Sequence, residues 1–159
     1  MTKIASAQDL ENHIGYTFHD SKILEEARTR RSFTNEKPAE TEEFMDPLAT
    51  LGDAILDAIV IFKLYEDGER DPGKLTENKI HNVKRKKTRA FAEKNDLGKY
   101  IRWGKGEGRD EIWNKGDRAL DAVTEALIGA IYLDAQRNEM NGMAIVLEIL
   151  EKKNFFKTD

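Results

Sequence analysis

Residues 54–64 form an apolar run of roughly three helical turns, and this run constrains the fold more than any other stretch. A helix that is apolar on nearly every side is typical of a protein core. The same helix carries Asp53 and Asp57 one turn apart, with Asp46 about two turns earlier. Buried carboxylates are costly unless a cation, a metal ion or a proton compensates for their lost hydration. We therefore expect other parts of the chain to supply the groups that lie opposite these acids.

A second acidic helix is predicted over residues 118–134. It is apolar on most sides but places Asp121 and Glu125 one above the other at i and i+4. Gly129 follows a turn later, where the lack of a side chain allows close packing or the approach of a ligand. Two such helices can bring several carboxylates together, and a divalent metal ion with oxygen ligands would stabilise them. The alternative is that each acid pairs with a nearby base, such as Arg118, or faces solvent.

Composition narrows the kind of metal site. The chain has no cysteine, which excludes disulfides and thiolate ligands, and its three histidines argue against an all-histidine zinc site. Oxygen ligands suit magnesium, manganese or calcium. No segment approaches the length of a membrane span, and the N-terminus lacks the apolar core of a signal peptide. We therefore expect a cytoplasmic protein with no membrane partner.

The charge is distributed unevenly along the chain. The net charge of −4 argues against a broadly basic nucleic-acid-binding protein. Residues 79–88, however, hold five lysines or arginines and no acid, and residues 28–32 form a second basic cluster. Such stripes suffice to contact phosphates, although a solvated, lysine-rich helix face is the simpler alternative. The candidate phosphate contacts are Lys84, Arg85, Lys86 and Lys87.

The sequence contains no convincing alternating strand, repeat or low-complexity tract, so the predicted fold class is all-α. The acidic, proline-containing residues 33–46 are predicted to form a loop, and the glycine-rich residues 99–116 a connector. Asp20 is expected to cap the second helix and Gly15 to end the first. Helices are predicted near residues 7–14, 21–28, 47–65, 75–95, 117–135 and 140–152.

Three blocks of this sequence together resemble the catalytic domain of ribonuclease III. The first comprises Gly15-Tyr16-Thr17-Phe18 followed by Ile23-Leu24-Glu25-Glu26-Ala27-Arg28-Thr29-Arg30-Arg31-Ser32. The second is Leu51-Gly52-Asp53-Ala54-Ile55-Leu56, and the third is Glu125-Ala126-Leu127-Ile128-Gly129-Ala130-Ile131-Tyr132-Leu133-Asp134. Their order and spacing also agree with that family from about residue 10 to residue 134.

The resemblance implies an all-helical, dimeric endonuclease domain that cuts double-stranded RNA. The family uses magnesium, for which manganese is a possible substitute, and water attacks the phosphodiester to leave 5′-phosphate and 3′-hydroxyl ends. One such domain is expected to cover residues 1–159. We expect no double-stranded-RNA-binding domain in this chain, so RNA affinity would have to come from the catalytic domain itself, with the basic run as its candidate contact.

In the first acidic block of the family, Glu-x-x-Glu-Phe-Leu-Gly-Asp, the final aspartate corresponds to Asp53. The first glutamate corresponds to Asp46, which is still acidic but one methylene shorter. The second glutamate, a metal ligand in the family, corresponds to Ala49, which cannot coordinate a metal. The family's aromatic residue at the dimer contact corresponds to Thr50.

In the second acidic block, Asp-x-x-Glu, the glutamate corresponds to Glu125 but the aspartate corresponds to Ala122. Asp121 lies one residue earlier, which is about 100° away around a helix. The resemblance therefore assigns the metal to Asp53 and Glu125, with Asp121 as a stand-in ligand and Asp46 as a further catalytic acid.

These departures leave three hypotheses open. The first is a magnesium-dependent double-stranded-RNA endonuclease. The second is a catalytically degenerate member of the family that acts as an RNA-binding or assembly dimer, which Ala49 and Ala122 support. The third is a helical scaffold with no role in RNA chemistry, which only the acidic composition favours.

Overall fold

The computed structural model describes residues 3–109 and 119–157, without the side chains of residues 77–83 and 109. Its regular elements are all helical, which confirms the predicted fold class, and none is long and apolar enough to cross a membrane in the ranges described. The helices are α1 (Ala7–Ile14), α2 (Ser21–Ala27), α3 (Arg31–Glu36), α4 (Asp46–Glu66), α5 (Glu77–Lys94), α6 (Lys105–Arg109), α7 (Ala119–Arg137) and α8 (Gly142–Lys152), with a 3₁₀ turn at Leu97–Tyr100.

Helix α7 lies at the centre of the fold. It packs most extensively against α4 and also contacts α2, α5 and α8. Its residues are buried on nearly all sides, as expected for a helix that is apolar around most of its circumference. Around it, the hydrophobic core includes the almost fully buried side chains of Met45, Leu56, Ala126 and Leu150. The two acidic helices predicted from the sequence, α4 and α7, are therefore the central packed pair.

Helix α1 begins and ends, and helix α2 begins, where the sequence predicts. The Ser6 hydroxyl accepts a hydrogen bond from the Asp9 amide at 3.0 Å, and Gly15 ends α1 with a left-handed φ of 85°. The Asp20 carboxylate accepts a hydrogen bond from the Lys22 amide at 2.9 Å and caps α2. Short polar side chains and one glycine thus define these ends.

The loop predicted over residues 33–46 is wrong in its first part, because α3 covers residues 31–36. Phe33 is buried, and the guanidinium of Arg102 lies 5.2 Å from the centre of its ring. The Thr34 hydroxyl donates to the Arg31 carbonyl at 2.8 Å. One aromatic side chain with partners distant in sequence stabilises this short helix, and such a contact leaves no periodic pattern in a polar stretch.

Helix α4 is not buried all round, contrary to the sequence expectation for residues 54–64. Its apolar side chains Ile61, Phe62 and Tyr65 are 37%, 48% and 49% exposed and lie along one face. Helix α7 covers the opposite face. The buried residues of α4 on that side include Leu48, Ile55, Leu56, Ile59 and Val60.

A buried carboxylate near the end of α7 connects this helix to the N-terminal part of the chain. Asp134 is fully buried and accepts hydrogen bonds from the Tyr16 hydroxyl at 2.7 Å and from the backbone amides of His19 and Asp20, both at 3.0 Å. Burial by itself raises the pKa of Asp134, but these donors outweigh it and lower the pKa overall. The turn before α2 is thereby fixed to the core.

The predicted connector of residues 99–116 contains the short helix α6. Glu107 on α6 accepts hydrogen bonds from Arg30, at 3.0 Å, and from the Ser32 hydroxyl. The indole of Trp103 donates to the Gly98 carbonyl at 2.8 Å. The contacts of Glu107 fasten the connector to the start of α3. The part of the connector after residue 109 lies outside the described residues.

Candidate active site

The candidate site is built on a close crossing of α4 and α7. A Cβ atom placed on Gly52 would lie 1.7 Å from the Glu125 carbonyl oxygen. A Cβ atom on Gly129 would lie 2.1 Å from the Leu48 carbonyl oxygen. Both distances are impossible for real atoms, so only glycine allows the two backbones to approach in this way. The packing role predicted for Gly129 is confirmed, and the crossing places Asp53 beside Glu125.

Asp53 and Glu125 interact directly at this crossing. Burial, followed by the charge of Asp53, raises the pKa of Glu125 from 4.5 to about 7. The charge of Asp121 and a hydrogen bond to Asp53 act in the same direction, while Lys84 acts in the opposite one. Glu125 therefore retains its proton up to nearly neutral pH.

Lys84 of α5 supplies a positive charge on the other side of Asp53. Its ammonium donates to Asp53 Oδ1 and, at 2.7 Å, to Asp57 Oδ1. The Lys84 side chain is 4% exposed, whereas the two aspartates are 45% and 43% exposed. Burial acts to lower the pKa of Lys84, but the hydrogen bonds and charges of Asp53 and Asp57 outweigh it and raise the pKa. Lys84 is therefore a permanently charged, buried cation.

The two stand-in acids differ in where they lie. Asp121 is half-buried on α7, and the Thr88 hydroxyl of α5 lies 3.4 Å from its Oδ1 atom. Its charge contributes to the raised pKa of Glu125, so it belongs to the same electrostatic cluster. Asp46 is exposed in the first turn of α4, where its backbone carbonyl accepts from the Thr50 hydroxyl at 3.2 Å.

Comparison with known proteins assigns this architecture to a family. The sequence pattern of the Ribonuclease-III-like family matches residues 20–152, which include both acidic helices and α5 between them. The chain belongs to this family. The resemblance that the three sequence blocks indicate is thereby confirmed.

Relatives of this ribonuclease-III-like chain are themselves longer. It is 34% identical over 131 residues to Ribonuclease 3 of Lactiplantibacillus plantarum, covering 80% of this chain and 55% of that protein. It is 35% identical over 158 residues to Ribonuclease 3 of Geobacillus kaustophilus, covering 98% of this chain and 61% of that protein. The chain thus spans less than two thirds of the length of these relatives.

Two solved structures of the nuclease domain of ribonuclease III from Campylobacter jejuni share the fold. One matches with a TM-score of 0.75 at 28% identity and covers 93% of this chain and 98% of that domain. The other matches with a TM-score of 0.68 at 30% identity, with coverages of 96% and 97%. The helices described here therefore correspond to a nuclease domain over nearly its whole length.

Two alanines of the ribonuclease-III-like chain stand where the family resemblance places carboxylates. Ala49 is buried on α4, and Ala122 packs against the hydrophobic core from α7. Neither methyl group can ligate a metal ion. Asp121, one residue before Ala122, lies against Thr88 and acts on Glu125 through its charge.

The acids as placed do not fit a divalent metal ion. Within residues 3–109 and 119–157, no group of three or more acidic, histidine or cysteine side chains is arranged to hold a metal. The ammonium of Lys84 already bonds Asp53, which is one of the two acids kept at family positions. The donor chemistry is that of a magnesium site, but the ammonium of Lys84 provides the compensating positive charge.

The basic run of α5 divides between the core and the surface. Lys84, predicted as a phosphate contact, is buried against Asp53 and Asp57, so that prediction is wrong for this residue. Arg85 and Lys86 are exposed, as an RNA contact requires. Lys87 is half-buried, and its ammonium donates to the Phe156 carbonyl at 3.3 Å.

Sequence reasoning identified the acids but missed the partner of Asp53 and Asp57. The sequence did indicate that a cationic partner exists, because two acids one turn apart on an apolar helix need a cation. Nothing in the sequence distinguished Lys84 from the adjacent Arg85, Lys86 and Lys87. The choice depends on the rotation of α5 about its axis, which only packing against α4 and α7 determines.

Proposed function

We propose that this chain is the nuclease domain of a double-stranded-RNA endoribonuclease, hydrolysing phosphodiester bonds to leave 5′-phosphate and 3′-hydroxyl ends. The observation that carries the proposal is the contact of Asp53 with Glu125. Both acids stand at family positions in the matched region, and the glycine crossing holds them together. The family resemblance suggests magnesium as the cofactor, or manganese in its place.

The exposed part of the basic run supports RNA as the substrate. Arg85 and Lys86 lie on the same helix as Lys84, only one or two residues after the cation that contacts the acids. A-form RNA is recognised chiefly through its shape, phosphates and 2′-hydroxyls, so cations at this position would bind duplexes with little sequence preference. We assign phosphate contact to Arg85 and Lys86.

A homodimer belongs to the same proposal. One Campylobacter jejuni nuclease-domain structure is described by its flexibility in a region involved in dimer formation. By family resemblance, two copies of this chain would place two acidic clusters along one duplex. Thr50, which is exposed here, replaces the aromatic residue of the family's dimer contact.

Specific observations also favour a second candidate, a catalytically degenerate ribonuclease-III-fold protein that binds RNA without cutting it. Ala49 and Ala122 remove two carboxylates, and Lys84 bonds one of the two that remain. A site that has lost carboxylate ligands binds divalent metals more weakly, because ligand charge and number determine affinity.

One experiment separates the two candidates. A labelled RNA duplex is incubated with the wild-type protein, Asp53→Asn and Glu125→Gln, each with magnesium, manganese or EDTA. We expect metal-dependent cuts with 5′-phosphate ends from the wild type and at least a hundredfold loss in both variants, because each removes a charged acid from the site. Glu66→Gln, which removes an exposed acid from the end of α4, is the matched control and should cut normally.

Two outcomes would contradict the nuclease proposal. Cleavage that persists unchanged in both Asp53→Asn and Glu125→Gln would show that these acids are not the site. Duplex binding without cleavage in any metal would establish the degenerate candidate, with Ala49 and Ala122 as its cause.

A further inference from the structure

Lys84 supplies the positive charge that faces the aspartates of α4. Its ammonium bonds one oxygen of Asp53 and one oxygen of Asp57, and the side chain is 4% exposed. It enters from α5, which packs against both acidic helices. The charge of Lys84 also acts on Glu125, so it reaches both acids that the family resemblance assigns to a metal.

A fixed ammonium at this place opposes the binding of a divalent ion in two ways. It occupies an Asp53 oxygen that a metal would need, and it repels any second cation at short range in a partly buried site. The side chain is tethered to α5, so its local concentration is high whatever the salt concentration of the solution. Two carboxylate partners make it harder to displace than a lysine with one.

We propose that Lys84 is a tethered cation that competes with divalent metal ions for Asp53 and so determines the metal affinity of the acidic cluster. This inference rests on the proposed function, since it concerns the cofactor of the same site. Metal ions bind Asp53 only after the ammonium of Lys84 has left it. The chain therefore requires a higher metal concentration than a site with the same acids and no lysine.

The test measures metal binding without RNA. Manganese binding is followed by the electron paramagnetic resonance signal of the free ion, for the wild type, Lys84→Met and Lys86→Met. Methionine keeps most of the aliphatic volume and removes the charge. We expect at least tenfold tighter binding in Lys84→Met. Lys86→Met removes an exposed charge two residues away on the same helix and should match the wild type.

Equal or weaker manganese binding in Lys84→Met would overturn the proposal, because a purely structural ion pair does not restrict metal affinity. Loss of Lys84 leaves Asp53 and Asp57 without their cation, so folding is checked by circular dichroism. Lys84→Gln is the second variant, since its amide keeps two N–H donors while carrying no charge. It should also bind manganese more tightly than the wild type.

A measurement on the wild-type protein gives an independent answer. The side-chain ammonium of a buried, paired lysine exchanges slowly enough to be followed by nitrogen-15 NMR. Saturating magnesium should remove the signal of the Lys84 ion pair, and an unchanged signal at saturation would refute competition. Manganese binding and the NMR signal of Lys84 are both measured without RNA cleavage. Tighter metal binding by Lys84→Met would uphold this inference. If the wild-type protein at the same time cleaved no RNA, the proposed function would be rejected.

Discussion

At the scale of single residues, burial and neighbouring charges determine the behaviour of the acids of α4 and α7. The pKa of Glu125 is raised to about 7, chiefly by burial and then by the charge of Asp53. Lys84 compensates the charges of Asp53 and Asp57. Glu125 therefore titrates near neutral pH.

Removing the charge of Glu125 should stabilise the metal-free protein at alkaline pH. Its folded pKa is about 7 and its reference value is 4.5, so between these values the folded state binds more protons than the unfolded state. Stability therefore falls as pH rises through this window, and remains lower above it. In EDTA, Glu125→Gln should melt at a higher temperature than the wild type at pH 8. The two should melt alike at pH 4, where the wild-type residue is protonated in both states.

Thermal melts followed by circular dichroism at both pH values measure this difference. Glu66→Gln, which changes an exposed acid on α4, serves as the control and should have the melting temperature of the wild type at both pH values. A lower melting temperature for Glu125→Gln at pH 8 would show instead that the charged form of Glu125 stabilises the fold.

Which residues form the site was only partly predictable. That Asp53 and Glu125 lie close together was predictable, because a family resemblance and an acidic stripe on an apolar helix agreed. Their catalytic role stays a prediction. The pairing of Lys84 was not predictable, because four consecutive basic residues look equivalent until the rotation of α5 is known. Asp121 belongs to the electrostatic cluster, but the sequence offered no way to decide whether it reaches the position of the missing carboxylate beside Ala122.

At the scale of helices, the crossing of α4 and α7 determines the site. Gly52 and Gly129 face backbone carbonyls of the opposite helix, so neither position has room for a side chain. Backbone atoms, unlike the ends of flexible side chains, cannot move aside without moving the whole helix. The distance between Asp53 and Glu125 is therefore a property of the helix pair.

Alanine at either glycine should strongly destabilise the protein. Gly52→Ala and Gly129→Ala each place a methyl group on a carbonyl of the facing helix, and overpacking of this kind costs about 3 kcal/mol. Gly106→Ala is the matched control, because nothing lies within 4 Å of its Cβ position. It should be neutral or slightly stabilising, since alanine favours helix over glycine.

Urea unfolding of the three glycine variants tests this. A midpoint for Gly52→Ala or Gly129→Ala equal to that of Gly106→Ala would mean that the helices do not cross as closely as described. From the place of Gly129 on the acidic stripe, the sequence predicted either close packing or the approach of a ligand, and the structure shows close packing. No equivalent signal indicated Gly52, because that glycine precedes Asp53 and follows a leucine in an otherwise ordinary helical pattern.

At the scale of the whole molecule, Asp134 joins parts of the chain that are distant in sequence. Its carboxylate binds Tyr16 and the amides of His19 and Asp20, more than a hundred residues earlier. Both Tyr16 and Asp134 fall within the three blocks that revealed the family. The pairing itself was not predictable, since neither the tyrosine of the first block nor the aspartate that ends the third block specifies its partner.

Tyr16→Phe should lower the stability of the entire fold. It removes the hydroxyl that donates to Asp134 at 2.7 Å and leaves a buried carboxylate with one donor fewer. Hydrogen bonds to charged groups contribute about 2 kcal/mol, which corresponds to a fall in Tm of about 6 °C for a chain of this size. Tyr65→Phe removes the hydroxyl of a 49% exposed tyrosine and should leave Tm unchanged. Differential scanning calorimetry measures both, and equal Tm values would refute the role of Asp134.

The glycine crossing has a consequence for how such a protein changes over evolution. Because main-chain atoms hold α4 against α7, the relative position of these helices does not depend on the side chains at positions 49 and 122. Alanine codons differ from aspartate or glutamate codons by a single base. Carboxylates at the two positions that the family resemblance indicates can therefore be lost or regained through one-base changes. The two glycines that hold the helices together would be retained by selection for stability alone.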